Sequence, residues 1–114
     1  MDAAFQQPAS AIPGMQAQQQ ATPTTGQTVQ ITNNALLGLT VINPAGTLGA
    51  LTVALPLDAS SSIGQIERIA FMKAITALTI NAGAGMVYGV SSTALLGDNI
   101  AFQKIAANTW TRLL

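Results

Sequence analysis

The stretch 48–81 reads LGALTVALPLDASSSIGQIERIAFMKAITALTIN, and over much of it apolar residues recur at every second position. A period of two is typical of β-strands, so we predict strands over 48–55, 65–71 and 75–81. The intervening PLDASSS, residues 56–62, opens with a proline that lacks the N–H a strand ladder needs. Its Asp and Ser side chains favour hydrogen bonds to their own backbone, and the segment is therefore predicted to be a loop.

Short strands are also predicted on both sides of this stretch. Residues 27–32 place Val29 and Ile31 on one face, whereas ALLGLTVIN, residues 35–43, is apolar on both faces and is predicted to lie between layers or between subunits. The glycine-rich 81–85 predicts a hairpin turn, and 100–113 predicts a closing hairpin. The fold class is therefore all-β, predicted as a small antiparallel β-barrel or sandwich that forms a knob.

The first 26 residues differ from the rest of the chain. MDAAFQQPASAIPGMQAQQQATPTTG is rich in Gln and Pro and shows no apolar periodicity, which is typical of an extended arm. Its sizeable apolar residues are Phe5, Ile12 and Met15. We expect two regions: an arm over 1–26 that docks these three side chains on a partner, and a β-structured domain over 27–114.

The composition predicts a protein that associates with copies of itself. Charged residues make up 7% of the chain and apolar residues 49%, whereas an ordinary soluble domain has about 25% charged residues. A small surface with so few charges leaves apolar patches open to water unless a partner covers them. The following residues are predicted to fill the core or the subunit interface: Leu51, Val53, Leu55, Ile69, Leu78, Ile80 and Trp110.

Several function classes lack support in the sequence. The net charge is zero, so no basic stripe is available for nucleic acid, and there is no Cys or His to supply a nucleophile, a general base or a zinc ligand. Asp58 and Asp98 lie in turn contexts that predict capping of backbone N–H groups, and Glu67-Arg68 predicts ion pairs between strands or subunits. We expect no enzymatic activity, cofactor or metal.

Two further features leave alternatives open. The uncharged run 33–57 is long enough for a membrane span, but Asn43-Pro44-Ala45-Gly46 interrupts it and its spacing is that of strands, so no membrane association is expected. Trp110 and Tyr88 are compatible with a sugar- or protein-binding site. A lone Trp in a domain with 4% aromatic residues is also typical of a core or interface plug.

Four segments resemble a β-structured domain of tailed-bacteriophage virion proteins, found in capsid fibres, cement proteins and tail-fibre tips. They are TLGALTVALP (47–56), IGQIERIAF (63–71), KAITALTINAGAG (73–85) and FQKIAANTWTRL (102–113). The short loop 58–62 departs from the Pro-Ala-Asp-Gly that members of the family often carry there. The resemblance implies a homotrimer without enzymatic activity.

Within a virion, the resemblance allows two placements. A tail fibre or spike needs an attachment domain and a long shaft, whereas a decoration protein needs a compact trimeric knob and arms that grip the shell. We therefore expect a trimeric cement or head-fibre protein on the outer surface of the capsid, with the major capsid protein as its partner. The alternative is a host-receptor-binding module that uses the exposed loop around 91–99.

Overall fold

A computed structural model of the chain describes residues 17–32, 37–83 and 85–113. Apart from one 3₁₀ turn at Asp58–Ser60, the regular structure in these ranges is β. The strands, in chain order, are β1 (Ala17–Ala21), β2 (Thr28–Gln30), β3 (Leu37–Ile42), β4 (Leu48–Ala54), β5 (Ile66–Phe71), β6 (Ile75–Asn81), β7 (Met86–Tyr88), β8 (Asn99–Ala106) and β9 (Thr109–Arg112). The all-β prediction is thus confirmed.

Strands β1 to β6 alternate between two sheets, and β7, β8 and β9 all belong to one of them. The six-stranded sheet has the order β1-β3-β5-β8-β9-β7, and the three-stranded sheet has the order β2-β4-β6. The chain therefore passes from one sheet to the other and back, and each pair β1–β2, β3–β4 and β5–β6 forms one coil. Stacked coils make the equivalent strands parallel, since every coil runs in the same direction.

The predicted antiparallel pairing is wrong for the first six strands. Among the described strands, antiparallel pairing joins β5 to β8 and β8 to β9. The period of two shows which residues share a face, but parallel and antiparallel strands have that same period. Adjacent parallel strands need a crossover, and here the crossover is a strand of the other sheet.

The three-stranded sheet is built from a repeated sequence. Leu51-Thr52-Val53 on β4 aligns with Leu78-Thr79-Ile80 on β6, and Thr28-Val29 on β2 aligns with the last two positions of both. Identical or closely similar residue types therefore stack in register across the sheet. Val29, Val53 and Ile80 face the core, and Thr28, Thr52 and Thr79 face outward.

The C-terminal part closes the six-stranded sheet. The predicted hairpin is confirmed, with β8 and β9 joined by Ala107-Asn108, where Asn108 has a φ of 51°. The predicted hairpin at 81–85 is wrong: this segment carries the chain to the six-stranded sheet, where β7 pairs in parallel with β9. Gly85 is required there because a Cβ would meet the backbone of Asn108.

The strands of the six-stranded sheet begin before the boundary predicted at residue 26. Ala17–Ala21 forms β1, which pairs in register with β3 at the edge of the six-stranded sheet. The Gln19 amide extends this attachment, since its Nε2 donates to the carbonyl of Gln30 at 2.9 Å and its Oε1 accepts from the amide of Thr32 at 2.8 Å. Glutamines lack an apolar period, so their backbone pairing leaves no pattern in the sequence.

Candidate interaction surface

The seven residues predicted for the core or the interface lie in the core of a single chain. Each is at most 6% exposed. They belong to one apolar cluster that draws on both sheets. They are Leu51, Val53, Leu55, Ile69, Leu78, Ile80 and Trp110. The predicted docking residues of the arm, Phe5, Ile12 and Met15, lie outside the described residues.

The outward face of the six-stranded sheet presents an apolar surface along β3 and β5. Leu37 is 44% exposed, and Leu39, Val41 and Ile66 are partly exposed. Ala70, the register partner of Val41, lies on the same face but is only 6% exposed. We call these five residues the outer strip. Full burial of a Leu, Val or Ile side chain contributes about 1.5–3 kcal/mol, and because these side chains are already partly buried, a partner that covered the strip would gain only a fraction of that at each.

The inward face of β3 is poorer in apolar groups than its outward face. Gly38 offers no side chain, and Thr40 is fully buried with no hydrogen-bond partner for its Oγ1 among the described residues. Ile42 alone joins the apolar core. A buried hydroxyl without a partner costs about 1–3 kcal/mol. This strand therefore has its larger apolar side chains on the side away from the core.

Glu67 and Arg68, which are predicted to form ion pairs between strands or subunits, lie on opposite faces of β5. Arg68 points outward and is exposed, whereas Glu67 points inward and is fully buried. The Nε2 of Gln65 donates to Oε2 of Glu67 at 2.6 Å, and Gln65 is itself 1% exposed. Because successive side chains of a strand point to opposite faces, the backbone of the sheet lies between the side chains of Glu67 and Arg68. Arg68 is the one charged residue at an outward strand position of the described six-stranded sheet.

The outward face of the three-stranded sheet has a different chemistry. Its outward positions carry the Thr28, Thr52 and Thr79 row and, beside it, Ala50 and Ala77. No charged residue and no large apolar residue lies at an outward position of these described strands. This second face therefore carries small or polar side chains, and it contrasts with the outer strip.

The loop proposed as a receptor site holds two exposed leucines on an ordered turn. Leu95 and Leu96 are 67% and 70% exposed. Oδ2 of Asp98 accepts from the amide of Leu95 at 2.8 Å, which confirms its predicted capping role. The backbone of Phe71 bonds both Gly97 and Asp98, so the turn is attached to the end of β5.

A buried lysine fixes the loop between β4 and β5. Lys104 is 3% exposed, and its Nζ lies 2.7 Å from Oδ1 of Asp58 and donates to the carbonyl and hydroxyl oxygens of Ser61. Oδ1 of Asp58 also accepts from the amide of Asn108 at 2.8 Å. The hydrogen bond from Lys104 is the main reason that the pKa of Asp58 is below its usual value of 3.8, and the hydrogen bond from the Asn108 amide lowers it further. The cluster is an anchor for the loop.

The two aromatic residues have separate positions. Trp110 is 1% exposed inside the core, which supports the plug interpretation. Tyr88 is 51% exposed on the outward face of β7, in the row that also contains Thr111 and Gln103. Trp110 and Tyr88 therefore do not form a joint ligand-binding site.

The sequence predicted a strand apolar on both faces, but it did not identify which side chains would be left outside. In 35–43, Leu37, Leu39 and Val41 alternate with Gly38 and Thr40, and this alternation separates the two faces without showing which one meets the core. The described residues contain no group of three acidic, Cys or His side chains placed to hold a metal. In the same part of the chain, no helix has the length and hydropathy to cross a membrane.

Comparison with protein-family models, with curated proteins and with solved structures gives no match for this chain. The surface itself is therefore the basis for assigning a role.

Proposed function

We propose that this chain is a structural virion protein, a homotrimeric capsid decoration protein of the cement or head-fibre type. In this proposal the two sheets form a β-sandwich knob, and the trimer sits on the outer surface of a phage head and binds the major capsid protein. The role is mechanical, because a protein that spans several shell subunits adds contacts that must break before the shell opens. No enzymatic step is involved.

The observation that carries the proposal is the combination of few charges with many exposed large apolar side chains. Scattered apolar residues are normal on a surface, but contiguous apolar patches mark interaction sites. The exposed set is Leu37, Leu57, Ile63, Met72, Met86, Tyr88, Val90, Leu95, Leu96, Ile105 and Leu113. Such a surface fits a protein that is buried between neighbours, and the resemblance of 47–113 to virion domains supplies the identity of those neighbours.

A trimer also explains how weak contacts suffice. Three copies of one binding segment on a common knob raise the effective concentration of each segment for its site. The segment assigned to capsid binding is the N-terminal one, with Phe5, Ile12 and Met15. Because β1 begins at Ala17 and belongs to the sheet, the deletion that tests this segment ends before Ala17.

The test mixes the purified full-length protein with undecorated capsids of tailed phages. Bound mass after sedimentation and the temperature at which the shell ruptures are measured. We expect saturable binding in multiples of three and a higher rupture temperature. A variant lacking residues 2–15 should form the same oligomer but lose capsid binding. If the full-length protein binds no capsid, the decoration role is wrong.

The alternative is a host-receptor-binding module. It is favoured by one observation: the turn at 95–98 holds two exposed leucines in a fixed conformation. A receptor module should bind host cells, should lose that binding in Leu95→Ser/Leu96→Ser, and should keep it when residues 2–15 are deleted. A decoration protein should instead bind capsids, should keep that binding in Leu95→Ser/Leu96→Ser, and should lose it when residues 2–15 are deleted.

A further inference from the structure

Two strand edges lie at the start of the described chain, one on each sheet. β1 is the edge of the six-stranded sheet, and β2 is the edge of the three-stranded sheet. An edge strand presents unpaired N–H and C=O groups that a further strand can bond, and natural proteins commonly block such edges. The two edges differ in whether a block is present.

The edge of β2 is blocked by a side chain. The amide of Ile31 donates toward β4, so the backbone groups of Gln30 and Thr32 on either side of it face away from β4. Nε2 of Gln19 donates to the Gln30 carbonyl at 2.9 Å, and Oε1 of Gln19 accepts from the Thr32 amide at 2.8 Å. One residue of a neighbouring parallel strand would bond the same two groups, so the Gln19 side chain takes the place of a strand.

The edge of β1 has no such block in the described part of the chain. The carbonyl of Ala21 accepts from the amide of Asn43 at 2.9 Å, on the side of β3. Because alternate residues of a parallel strand bond to opposite sides, Gln18 and Gln20 turn their N–H and C=O groups away from β3. β1 contains no proline, no charged residue and no bulge, which are common means of protecting an edge. This edge is therefore able to accept an extended peptide.

The remaining sheet edges of the described chain are protected. Ile75 on β6 exchanges backbone hydrogen bonds of 2.9 and 3.0 Å with Ala94, and Leu78 donates to Ser92 at 2.8 Å. β7, at the far end of the six-stranded sheet, is three residues long and offers few groups to a partner. A second copy therefore has only its own β1 to pair with this edge, and such like-with-like pairing gives a two-fold dimer rather than a trimer.

The position of β1 in the chain favours the capsid as the source of the added strand. The N-terminal segment assigned to capsid binding leads directly into β1, which begins at Ala17. When that segment is docked, β1 is the first strand of the knob beside the shell. A strand of the bound protein that adds to this edge would supplement the side-chain contacts of the segment with backbone hydrogen bonds.

We propose that the open edge of β1, through the backbone groups of Gln18 and Gln20, binds an extended strand of the major capsid protein. This inference rests on the proposed function and names the strand of the knob that makes the contact. The added strand extends the six-stranded sheet, with main-chain hydrogen bonds supplying affinity. The side chains of Gln18 and Gln20 are exposed and uncharged, so the contact requires no charge on the partner strand. Gln19 directs the addition to β1, because it closes β2.

The first experiment removes one donor from the open edge. In the full-length protein, Gln20→Pro deletes an N–H that faces away from β3, and the proline ring lies where the added strand would approach. A proline whose missing N–H faces solvent is tolerated in an edge strand, so the fold is expected to stay intact. Gln20→Ala is the matched control, since it shortens the same side chain and keeps the N–H.

Binding to undecorated capsids of tailed phages is measured by sedimentation over a range of protein concentrations. We expect Gln20→Pro to bind at least about tenfold more weakly than the wild type, and Gln20→Ala to bind within about twofold of it. Far-UV circular dichroism and the fluorescence of Trp110, the single tryptophan, establish that each variant is folded. If Gln20→Pro does not fold, Gln18→Pro makes the same test nearer the start of the strand.

Hydrogen exchange of the β1 amides gives a second, independent measurement. The amides of Gln18 and Gln20 should exchange quickly in the free full-length protein and slowly when the protein is bound to capsids. The amide of Gln19 faces β3 and should exchange slowly in both states, which makes it the internal control.

Three results would overturn the inference. Wild-type affinity in a folded Gln20→Pro would show that the edge is not used, and the proposed function would then rest on the N-terminal segment alone. Slow exchange of the Gln18 and Gln20 amides in the free protein that becomes fast when residues 2–15 are deleted would show that the chain covers this edge itself. A wild type that binds no capsid would remove the proposed function together with this partner.

Discussion

Strands β3 and β4 follow each other in the chain, yet they use their two faces in opposite ways. β4 turns Leu51 and Val53 into the core and Thr52 outward. β3 turns Leu39 outward and buries Thr40. The difference is that β4 buries these large apolar side chains within the subunit, whereas β3 leaves Leu37, Leu39 and Val41 partly in water.

The largest expected difference in stability is between two variants that each truncate one leucine, Leu51 on β4 or Leu39 on β3. Leu51→Ala should lower the free energy of unfolding by about 2–5 kcal/mol, because it leaves a cavity in the core. Leu39→Ala should lower the stability of the separated subunit by less than about 1 kcal/mol, since the side chain is already partly in water. Urea denaturation at low protein concentration measures both. Equal losses would contradict the comparison.

A smaller effect of opposite sign is expected at the buried hydroxyl of β3. Thr40→Val replaces an Oγ1 without a hydrogen-bond partner by a methyl group of similar size, and should raise the free energy of unfolding by about 1 kcal/mol. The matched change Thr52→Val is made on the outward face of β4. Urea denaturation of both variants gives their free energies of unfolding. A destabilised Thr40→Val would mean that the hydroxyl of Thr40 stabilises the fold.

The connection that follows β4 is held by an ion pair, and a change of pH tests how much this pair stabilises the fold. The chain after β4 is held by Asp58 and Lys104, and the pKa of Asp58 is lowered. A carboxylate with a lowered pKa stabilises the fold above its unfolded pKa, and this contribution is lost as pH falls through the folded value, below 3.8. Asp58 is partly exposed, so solvent screening reduces the effect.

The variant for this test is Asp58→Asn, which keeps the shape and removes the charge. We expect it to melt below the wild type at neutral pH and to approach the wild type in acid below 3.8. Thermal unfolding followed by circular dichroism over that pH range gives the difference curve. A constant difference at every pH would show that the ion pair does not stabilise the loop.

The smallest effect is expected on the threonine row. Thr52→Val changes an outward position of the three-stranded sheet and should alter stability by no more than about 0.5 kcal/mol. It should also leave the mass of the oligomer unchanged. If sedimentation instead showed weaker association, the three-stranded sheet would be part of the contact, and the distinction between the two faces would be lost.

The alternation of residue types was enough to place most strands and the core. The strands around Leu51, Ile69 and Leu78 and the closing hairpin were predicted correctly, because burial of every second side chain is a local property of the sequence. The strand at Ala17–Ala21 was not predicted, since its pairing with β3 uses backbone groups that every residue carries.

What the sequence alone determined is which residues share a face; what only the tertiary structure decided is which face meets the core and which strands are neighbours. In 35–43 both faces are apolar, so the pattern fits either orientation, and the packing of the two sheets selects the one that leaves Leu39 outside. Parallel pairing was decided in the same way. A strand and its neighbour in the next coil are separated by a strand of the other sheet, and a period of two carries no information about that distance.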